Sequence, residues 1–149
     1  QIKKDVPGSI WWEVLRQNNY IDKFATYPDH VFVGEVYGQV QDLKYGAKNG
    51  QLLFSIFDVW NITQHKYLDW PDVEQMASAM GIPTVPILYS GPWKKELISL
   101  AEGPTTINNA GHVREGFVMK TIKESWDPVI NRRILKYVGT GYHLRKEDK

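Results

Sequence analysis

The stretch QLLFSIFDVW, residues 51–60, is the most strongly apolar segment of the chain. It is rich in aromatic and branched aliphatic residues and contains neither proline nor glycine, which is typical of a β-strand. Its residues offer little to water on either side, so we expect this strand to be buried within a sheet. Asp58 interrupts the apolar run beside Phe57. A carboxylate inside a buried strand is the first indication of a candidate site.

Helices and further strands are predicted on both sides of this strand. Upstream, Ser9 is placed to cap a helix over Ile10–Gln17, and a strand is expected over Val31–Gly38. Downstream, the sequence predicts a helix from Pro71 to about Ala79, a strand over Thr84–Tyr89, a helix over Trp93–Ala101, and strands over Gly116–Ile122 and Arg132–Val138. Several connections are too short for helical crossovers. We therefore expect one α+β domain, residues 1–149, with mixed, largely antiparallel sheets and flanking helices.

Composition excludes several classes of protein. The 149 residues are 42% hydrophobic and 23% charged, as in globular domains. The lack of cysteine excludes disulfides, zinc–thiolate sites, iron–sulfur clusters and cysteine nucleophiles. No apolar run approaches the roughly 20 residues that cross a bilayer, and no segment resembles a signal peptide. We therefore expect a cytoplasmic protein with no membrane partner.

Charge is unevenly distributed along the chain. Residues 1–111 carry 9 Lys/Arg and 12 Asp/Glu, a net charge of −3, whereas residues 112–149 carry 9 and 5, a net charge of +4. A basic end can attract phosphates, because counterion release depends on the charges close to the polyanion. A solvated basic tail explains the same distribution.

Three stretches place polar side chains in predicted strands. Glu35 lies between two glycines, where another group can approach the backbone closely. Phe57 and Asp58 are neighbours in the apolar strand. Glu115 and Lys120 are five residues apart and point to opposite faces if their strand is regular. A carboxylate near a strand end can hold a magnesium ion through water, and an ammonium group can neutralise a phosphate.

Each stretch also has a purely structural explanation. Glu35 can pair with a lysine at a sheet edge, Phe57 can be an ordinary core residue, and Asp58 can begin a turn. Glu115 and Lys120 can belong to a half-exposed strand. Apolar residues are most often core and charged residues most often surface. The order of the stretches along the chain therefore carries more weight than any one of them.

Taken in order, the segments GEVYG, FSIFD, EGFVMK and RRILKY resemble motifs III, IIIa, IV and V of the covalent nucleotidyltransferases. The closest resemblance is to RNA ligases of the second phage type, and it includes the extension VQDLKYG that ends at Gly46. It covers most of the chain. The resemblance implies an ATP-grasp-like nucleotidyltransferase ligase domain, incomplete at its N-terminus, that uses ATP, AMP, Mg²⁺ or Mn²⁺ and RNA ends.

The resemblance implies that three residues form the nucleoside side of the site. Glu35 would contact the ribose hydroxyls of the adenylate or waters on a metal. Phe57 would stack on the adenine, a role that suits an aromatic face in an apolar slot. Asp58 would support this nucleotide-binding wall.

Metal and phosphate contacts are implied in the second half of the chain. Glu115 would bind the divalent metal, and Lys120 and Lys136 would contact phosphate oxygens, where cations offset the charge that develops on phosphorus. The family often has a Lys-x-Lys pair in motif V, but here a single lysine is present. Arg132 or Arg133 is a candidate for the missing contact.

The family begins its reaction with the lysine of a Lys-x-x-Gly motif, which attacks ATP and then carries AMP. Upstream of Glu35 the lysines are Lys3, Lys4 and Lys23, and none has a glycine three residues later. We therefore expect the chain to be the C-terminal part of an adenylation domain, with a second chain as one source of the lysine. We also expect the isolated chain to be inactive in self-adenylation, since a nucleophilic lysine is required.

Two functions of different classes fit this sequence. The first is a fragment of an ATP-dependent RNA ligase, which joins 3′-hydroxyl and 5′-phosphate RNA ends through an adenylate. The second is a non-catalytic nucleotide- or RNA-binding module derived from a ligase. DNA ligase and capping activities are a third option in the same superfamily. Trp11, Trp12 and Trp93 are either core or lid residues or stacking partners for a nucleic acid.

Overall fold

The computed structural model describes residues 5–40 and 42–147 and divides into two compact units, residues 1–85 and 86–149. The first unit contains α1 (Ile10–Gln17), α2 (Ile21–Ala25), β1 (His30–Gly38), β2 (Leu52–Asn61), β3 (Lys66–Tyr67) and α3 (Trp70–Met80). The second contains a 3₁₀ helix (Lys95–Ala101), β4 (Gly116–Lys120), β5 (Trp126–Asp127), β6 (Asn131–Arg132), β7 (Ile134–Val138) and α4 (Thr140–Glu147). The named strands pair only in antiparallel ladders, which confirms the expected α+β class. Across the described ranges, no helix has the length and apolar character needed to span a membrane.

The strand predicted over residues 51–60 is the centre of the first unit. It forms β2, which lies between β1 and β3 in a three-stranded sheet. Phe54, Ile56 and Val59 belong to the buried core together with Val73 and Ala77 of α3. Burying a side chain such as Ile56 contributes about 1.5–3 kcal/mol, so this one strand supplies much of the core. The sheet therefore has a core face, and its opposite face remains for other groups.

The two predicted helices of the first unit are confirmed, with one difference at a cap. α1 covers Ile10–Gln17 as predicted, but the Ser9 side chain makes no capping hydrogen bond. α3 has Pro71 in its first turn and ends at Gly81, which has φ 62°. That left-handed conformation favours glycine and ends the helix where the sequence indicated.

The predicted strand over Thr84–Tyr89 is wrong. Only one isolated bridge forms there, between Thr84 and Ile56, and it is parallel. The Ile56 N–H donates to the Pro83 carbonyl at 2.9 Å. Pro83 and Pro86 flank the bridge, and because proline has no N–H, a longer ladder is not supported at this edge.

The second unit is built on the β4–β7 ladder, which runs from Gly116 opposite Val138 to Lys120 opposite Ile134. The strand predicted over Gly116–Ile122 is thus confirmed, two residues shorter. The one predicted over Arg132–Val138 is divided between β6 and β7, because the Arg133 N–H donates to Ser125 at 3.0 Å. The helix predicted over Trp93–Ala101 is the 3₁₀ helix.

The last helix, α4, is capped by an acid from outside the helix. Glu102 Oε1 accepts from the Thr140 N–H at 2.7 Å, and Oε2 accepts from the Gly141 N–H at 3.2 Å. These backbone donors lower the pKa of Glu102 below its ordinary value of 4.5. A Cβ at Gly139 would lie 2.5 Å from the Ala101 carbonyl oxygen, so only glycine allows this close approach.

Candidate functional site

A β-bulge in β2 controls where Phe57 and Asp58 lie. The register passes from Val33 opposite Asp58 to Gly34 opposite Ile56, so Phe57 is the extra residue. The core residues Ile56 and Val59 are consequently three positions apart rather than two. A bulge of this kind turns two successive side chains toward one face. Phe57 and Asp58 therefore both belong to the face opposite the core.

Glu35 lies on the same face, one strand away. It is opposite Ser55 in the ladder and is exposed. The hydroxyl groups of Tyr37 and Ser55 are 3.2 Å apart, so a hydrogen bond joins β1 to β2 beside Glu35. A Cβ at Gly34 would overlap the ring of Phe54 and lie 2.5 Å from the Ser55 carbonyl oxygen. This close packing explains why glycine precedes the acid.

Phe57 and Asp58 differ in their access to solvent. Phe57 is half-buried, so part of its ring remains available on this face. Asp58 is only 2% exposed. A carboxylate at that depth is stabilised by protein groups rather than by water. Asp58 is therefore enclosed within the sheet, whereas Phe57 and Glu35 are more accessible to solvent on the same face.

In the second unit, an ion pair joins the two segments EGFVMK and RRILKY. Lys136 Nζ donates to Glu115 Oε1 at 2.6 Å, and both side chains are substantially exposed. Glu115 precedes β4, which begins at Gly116 with φ 155°. A Cβ at Gly116 would overlap the Tyr137 carbonyl oxygen, so the glycine permits this close approach of the strands.

The β4–β7 register assigns both lysines to one face of this ladder. Lys136 is opposite Val118, and Lys120 is two residues beyond Val118 in the same strand. Because side chains alternate along a strand, Val118, Lys120 and Lys136 share a face. Glu115 reaches that face through its ion pair. The expectation that Glu115 and Lys120 point to opposite faces applied to a regular strand, and Glu115 lies just outside β4, which begins at Gly116.

Val118 is a residue that the sequence analysis did not single out. It is 56% exposed although it is a valine in the middle of a strand. It lies next to both lysines on their common face, where it offers an apolar surface beside the two amines. The segment EGFVMK indicated this position, because Val118 is two residues before Lys120 and alternation along a strand puts both on one face.

The two arginines suggested for the missing phosphate contact are in different states. Arg132 makes a two-point contact with Glu124, Nε to Oε2 at 2.8 Å and Nη2 to Oε1 at 2.6 Å, and both side chains are largely buried. Arg133 is 52% exposed, and its contact with Asp127, at 3.5 Å, is much longer than those of Arg132 with Glu124. Arg133 is therefore the better candidate for a phosphate contact.

The sequence-predicted residues thus assemble in two groups. Glu35, Phe57 and Asp58 share a face of the first unit's sheet, and Glu115, Lys120 and Lys136 share a face of the β4–β7 ladder. Among residues 5–40 and 42–147, no three His, Asp or Glu side chains are grouped closely enough to hold a metal by themselves. Lys3 and Lys4, two of the upstream lysines, lie outside the described residues, as does Gln41 of the VQDLKYG segment.

The letters Lys-x-x-Gly occur at one place in the chain, Lys136-Tyr137-Val138-Gly139, downstream of the other motifs. The amine of this lysine is in the ion pair with Glu115. A nucleophilic amine must be neutral, whereas an ion-paired amine carries a proton in place of the attacking lone pair.

Comparison with known proteins agrees with the motif order. Residues 3–138 match the family described as RNA ligase. The chain belongs to the RNA ligase family. No curated protein sequence gave a significant match to this RNA ligase family member.

Solved structures similar to this RNA ligase family member include several of the Naegleria gruberi RNA ligase. A variant with AMP and Mn matches with a TM-score of 0.79 and 19% identity, over 98% of this chain and 43% of that chain. The TM-score is 0.77 for the ligase with PPi and 0.74 for a variant with ATP and Mn, at the same identity and coverage. The likeness shows that the fold is of the RNA ligase, nucleotidyltransferase type. The chain spans less than half the length of these structures.

Proposed function

We propose that this chain provides the adenosine-, metal- and phosphate-binding residues of an ATP-dependent RNA ligase, which joins 3′-hydroxyl and 5′-phosphate RNA ends. The observation that carries the proposal is the ion pair between Lys136 and Glu115, two residues 21 positions apart that belong to the segments RRILKY and EGFVMK. The match of residues 3–138 to the RNA ligase family supports the same proposal. The Naegleria gruberi ligase structures with ATP, AMP and Mn support the same ligands.

The first unit would bind the nucleoside. The half-buried ring of Phe57 offers an aromatic face for an adenine base, and such stacking is worth about 1–3 kcal/mol. Glu35 is exposed on the same face, and its carboxylate can accept hydrogen bonds from ribose hydroxyls. The Tyr37–Ser55 hydrogen bond holds the two strands together beside Glu35. Asp58 would support the bulged strand from within.

The second unit would bind the phosphates and the metal. Magnesium commonly takes one or two protein carboxylates and completes its octahedral shell with water and phosphate oxygens. Glu115, one half-exposed carboxylate, fits a metal held in that way, together with a nucleotide. The metal would neutralise phosphate charge when bound. Lys120 and Lys136 would contact phosphate oxygens, and Lys136 would exchange its contact with Glu115 for one with phosphate.

Calorimetric titration of the chain with ATP tests this proposal. We expect ATP to bind in the presence of Mg²⁺ or Mn²⁺ and to bind more weakly with EDTA. Mn²⁺ alone should bind weakly, since Glu115 is its main protein ligand. Glu115→Ala should remove most of the metal dependence. A chain that binds no ATP, or a Glu115→Ala variant with unchanged metal dependence, would contradict the proposed site.

Matched variants separate binding from folding. Phe57→Leu keeps an apolar side chain but removes the ring, and should weaken ATP binding about tenfold. Lys120→Ala and Lys136→Ala should each weaken ATP binding, whereas Lys66→Ala, an exposed lysine of β3, should not. Circular dichroism of each variant establishes that it is folded. If Phe57→Leu binds ATP as the wild type does, the stacking role is wrong.

A non-catalytic binding module would give the same ATP titration but different chemistry. The ligase proposal and the binding-module alternative are distinguished by testing this chain within a complete enzyme that forms the lysyl-AMP intermediate. There, Glu115→Ala should abolish metal-dependent adenylation and RNA joining. Adenylation at the wild-type rate would refute the role of Glu115.

A further inference from the structure

The connection between β4 and β7 forms a second antiparallel hairpin, residues 121–133, called here the 121–133 hairpin. In it, β5 pairs with β6, Trp126 opposite Arg132 and Asp127 opposite Asn131. The hairpin begins directly after Lys120, so it adjoins the lysine proposed to contact phosphate. Arg132 and Arg133 were considered above as phosphate contacts, whereas Trp126 and the tip of the hairpin have no part in the site described so far.

The tip of the 121–133 hairpin has a defined conformation. Asp127 Oδ1 accepts from the Val129 N–H at 2.9 Å and from the Ile130 N–H at 3.3 Å. These backbone donors lower the pKa of Asp127. Asn131 has φ 63°, a left-handed conformation that asparagine tolerates. Asp, Pro and Asn therefore fix the turn through ordinary turn chemistry.

The base of the hairpin is equally well held. The two-point contact between Arg132 and Glu124 lies there, largely buried. The hydroxyl groups of Thr121 and Ser125 are 3.1 Å apart. A surface held in one conformation before binding loses less entropy when a ligand arrives.

This rigid hairpin exposes large apolar side chains. Trp126 is 66% exposed, Val129 is 86% exposed and Ile130 is 45% exposed. Three such side chains together on one short hairpin are costly in water, and clustered exposure of this kind commonly marks a binding surface.

Charge indicates which ligand this surface would take. Residues 120–136 contain five Lys/Arg and two Asp/Glu, a net charge of +3 against +1 for the whole chain. Glu124 is already engaged by Arg132, whereas Arg133 is 52% exposed and Lys123 is exposed. A nucleic acid strand accounts for the aromatic ring and the cations together.

We propose that the 121–133 hairpin binds unpaired RNA nucleotides beside the phosphate-binding lysines. The Trp126 indole stacks on a base, and Arg133 and Lys123 contact backbone phosphates. Val129 and Ile130 pack against the base or the sugar. This inference rests on the proposed function, since it places the RNA strand next to Lys120.

Fluorescence anisotropy with a labelled, 5′-phosphorylated single-stranded RNA of about 12 nucleotides tests the inference on the full chain. We expect Trp126→Ala to weaken binding about tenfold and Trp126→Phe to retain most of the affinity, because a stacking surface remains. Arg133→Ala should weaken binding and reduce the slope of log affinity against log salt by about one. Tyr89→Ala is the matched control, since Tyr89 is an aromatic residue outside the hairpin and is 43% exposed.

Several results would overturn the inference. The inference is wrong if the wild type binds no RNA, if Trp126→Ala leaves RNA binding unchanged, or if Tyr89→Ala weakens RNA binding as much as Trp126→Ala does. If Trp126→Ala and Val129→Ser change the oligomeric state in sedimentation but leave RNA affinity unchanged, the hairpin is a protein contact instead. ATP titration of the same variants keeps the proposals apart. Normal ATP binding with no hairpin effect on RNA refutes only the hairpin inference, and a wild type without ATP binding refutes the proposed function.

Discussion

A Cβ atom at Gly116 would overlap the Tyr137 carbonyl oxygen and lie 2.9 Å from the Cα of Val138. This glycine begins β4 next to Glu115, so the ion pair with Lys136 depends on the backbone that only glycine allows here. We expect Gly116→Ala to lower the free energy of unfolding by about 2–4 kcal/mol, because the strands must separate. Urea denaturation followed by circular dichroism measures this change.

Gly103→Ala is the matched control for that substitution. Gly103 also has a positive φ, 88°, but a Cβ there would meet nothing within 4 Å. Gly103→Ala should lower the free energy of unfolding by about 1–2 kcal/mol, since it adds backbone strain but no steric overlap. If both variants lose the same stability, the overlap with β7 is not what makes Gly116 necessary.

The neighbouring residues Arg132 and Arg133 give a second test at this scale. Arg132 and Glu124 are 15% and 13% exposed, and truncating the arginine leaves a carboxylate with little access to water. We expect Arg132→Ala to cost about 2–3 kcal/mol in unfolding free energy. Arg133→Ala removes only a 3.5 Å ion pair with Asp127 that is half-exposed to solvent. It should change the free energy of unfolding by less than about 0.5 kcal/mol. Equal effects in thermal or urea unfolding would contradict this difference.

At the scale of elements, the apolar runs predicted their own strands because burial and periodicity are local properties of sequence. The strand over 51–60 and the helix ending at Gly81 are examples. The strand predicted over Thr84–Tyr89 failed because its flanking prolines limit pairing, a constraint that outweighs the apolar pattern. The division of Arg132–Val138 was not predictable from composition, since it depends on a backbone hydrogen bond to Ser125.

α4 was missed for a related reason, because its cap comes from another element. Thr140 and Gly141 donate to Glu102, which precedes them by 38 and 39 residues. No sequence window contains both partners of such a cap. The same holds for the candidate site, where register and a bulge decided that Phe57 and Asp58 share a face.

The Glu102 cap makes the stability of α4 depend on pH. Its folded-state pKa lies below the ordinary value of 4.5, so the ionised form stabilises the fold. That contribution is present above about pH 4.5 and is lost as pH falls through the folded-state pKa. We expect Glu102→Gln to lower the Tm at pH 7, with the difference from wild type shrinking by pH 3. Thermal scans by circular dichroism at both values measure this.

Glu96→Gln is the control for the pH experiment. Glu96 is exposed in the 3₁₀ helix and caps no helix. Its substitution should leave the difference from wild type nearly the same at pH 7 and pH 3. A Glu102→Gln deficit that persists undiminished at pH 3 would show that the ionised cap is not responsible.

At the scale of the whole chain, the order of the motifs was more informative than any single residue. Glu35, Phe57 and Asp58 share a face in the first unit, and Glu115, Lys120 and Lys136 share a face in the second. The sequence could order these residues but could not assign faces, because faces depend on strand register and on the bulge at Phe57. Residues 3–138 match the RNA ligase family, the family that the resemblance indicated.

The same organisation predicts that the chain binds ATP without forming a covalent adduct. Lys136 is the one lysine followed three residues later by glycine, and its amine is ion-paired with Glu115. In the proposed site Lys136 contacts phosphate oxygens as an ammonium group, and none of the lysines upstream of Glu35 has a glycine three residues later, so no lysyl-AMP should form. Intact-protein mass spectrometry after incubation with ATP and Mg²⁺ should show the unmodified mass under conditions where calorimetry detects binding. A mass increase of one AMP would refute this prediction, and peptide mapping would then decide between Lys136 and another lysine as the nucleophile.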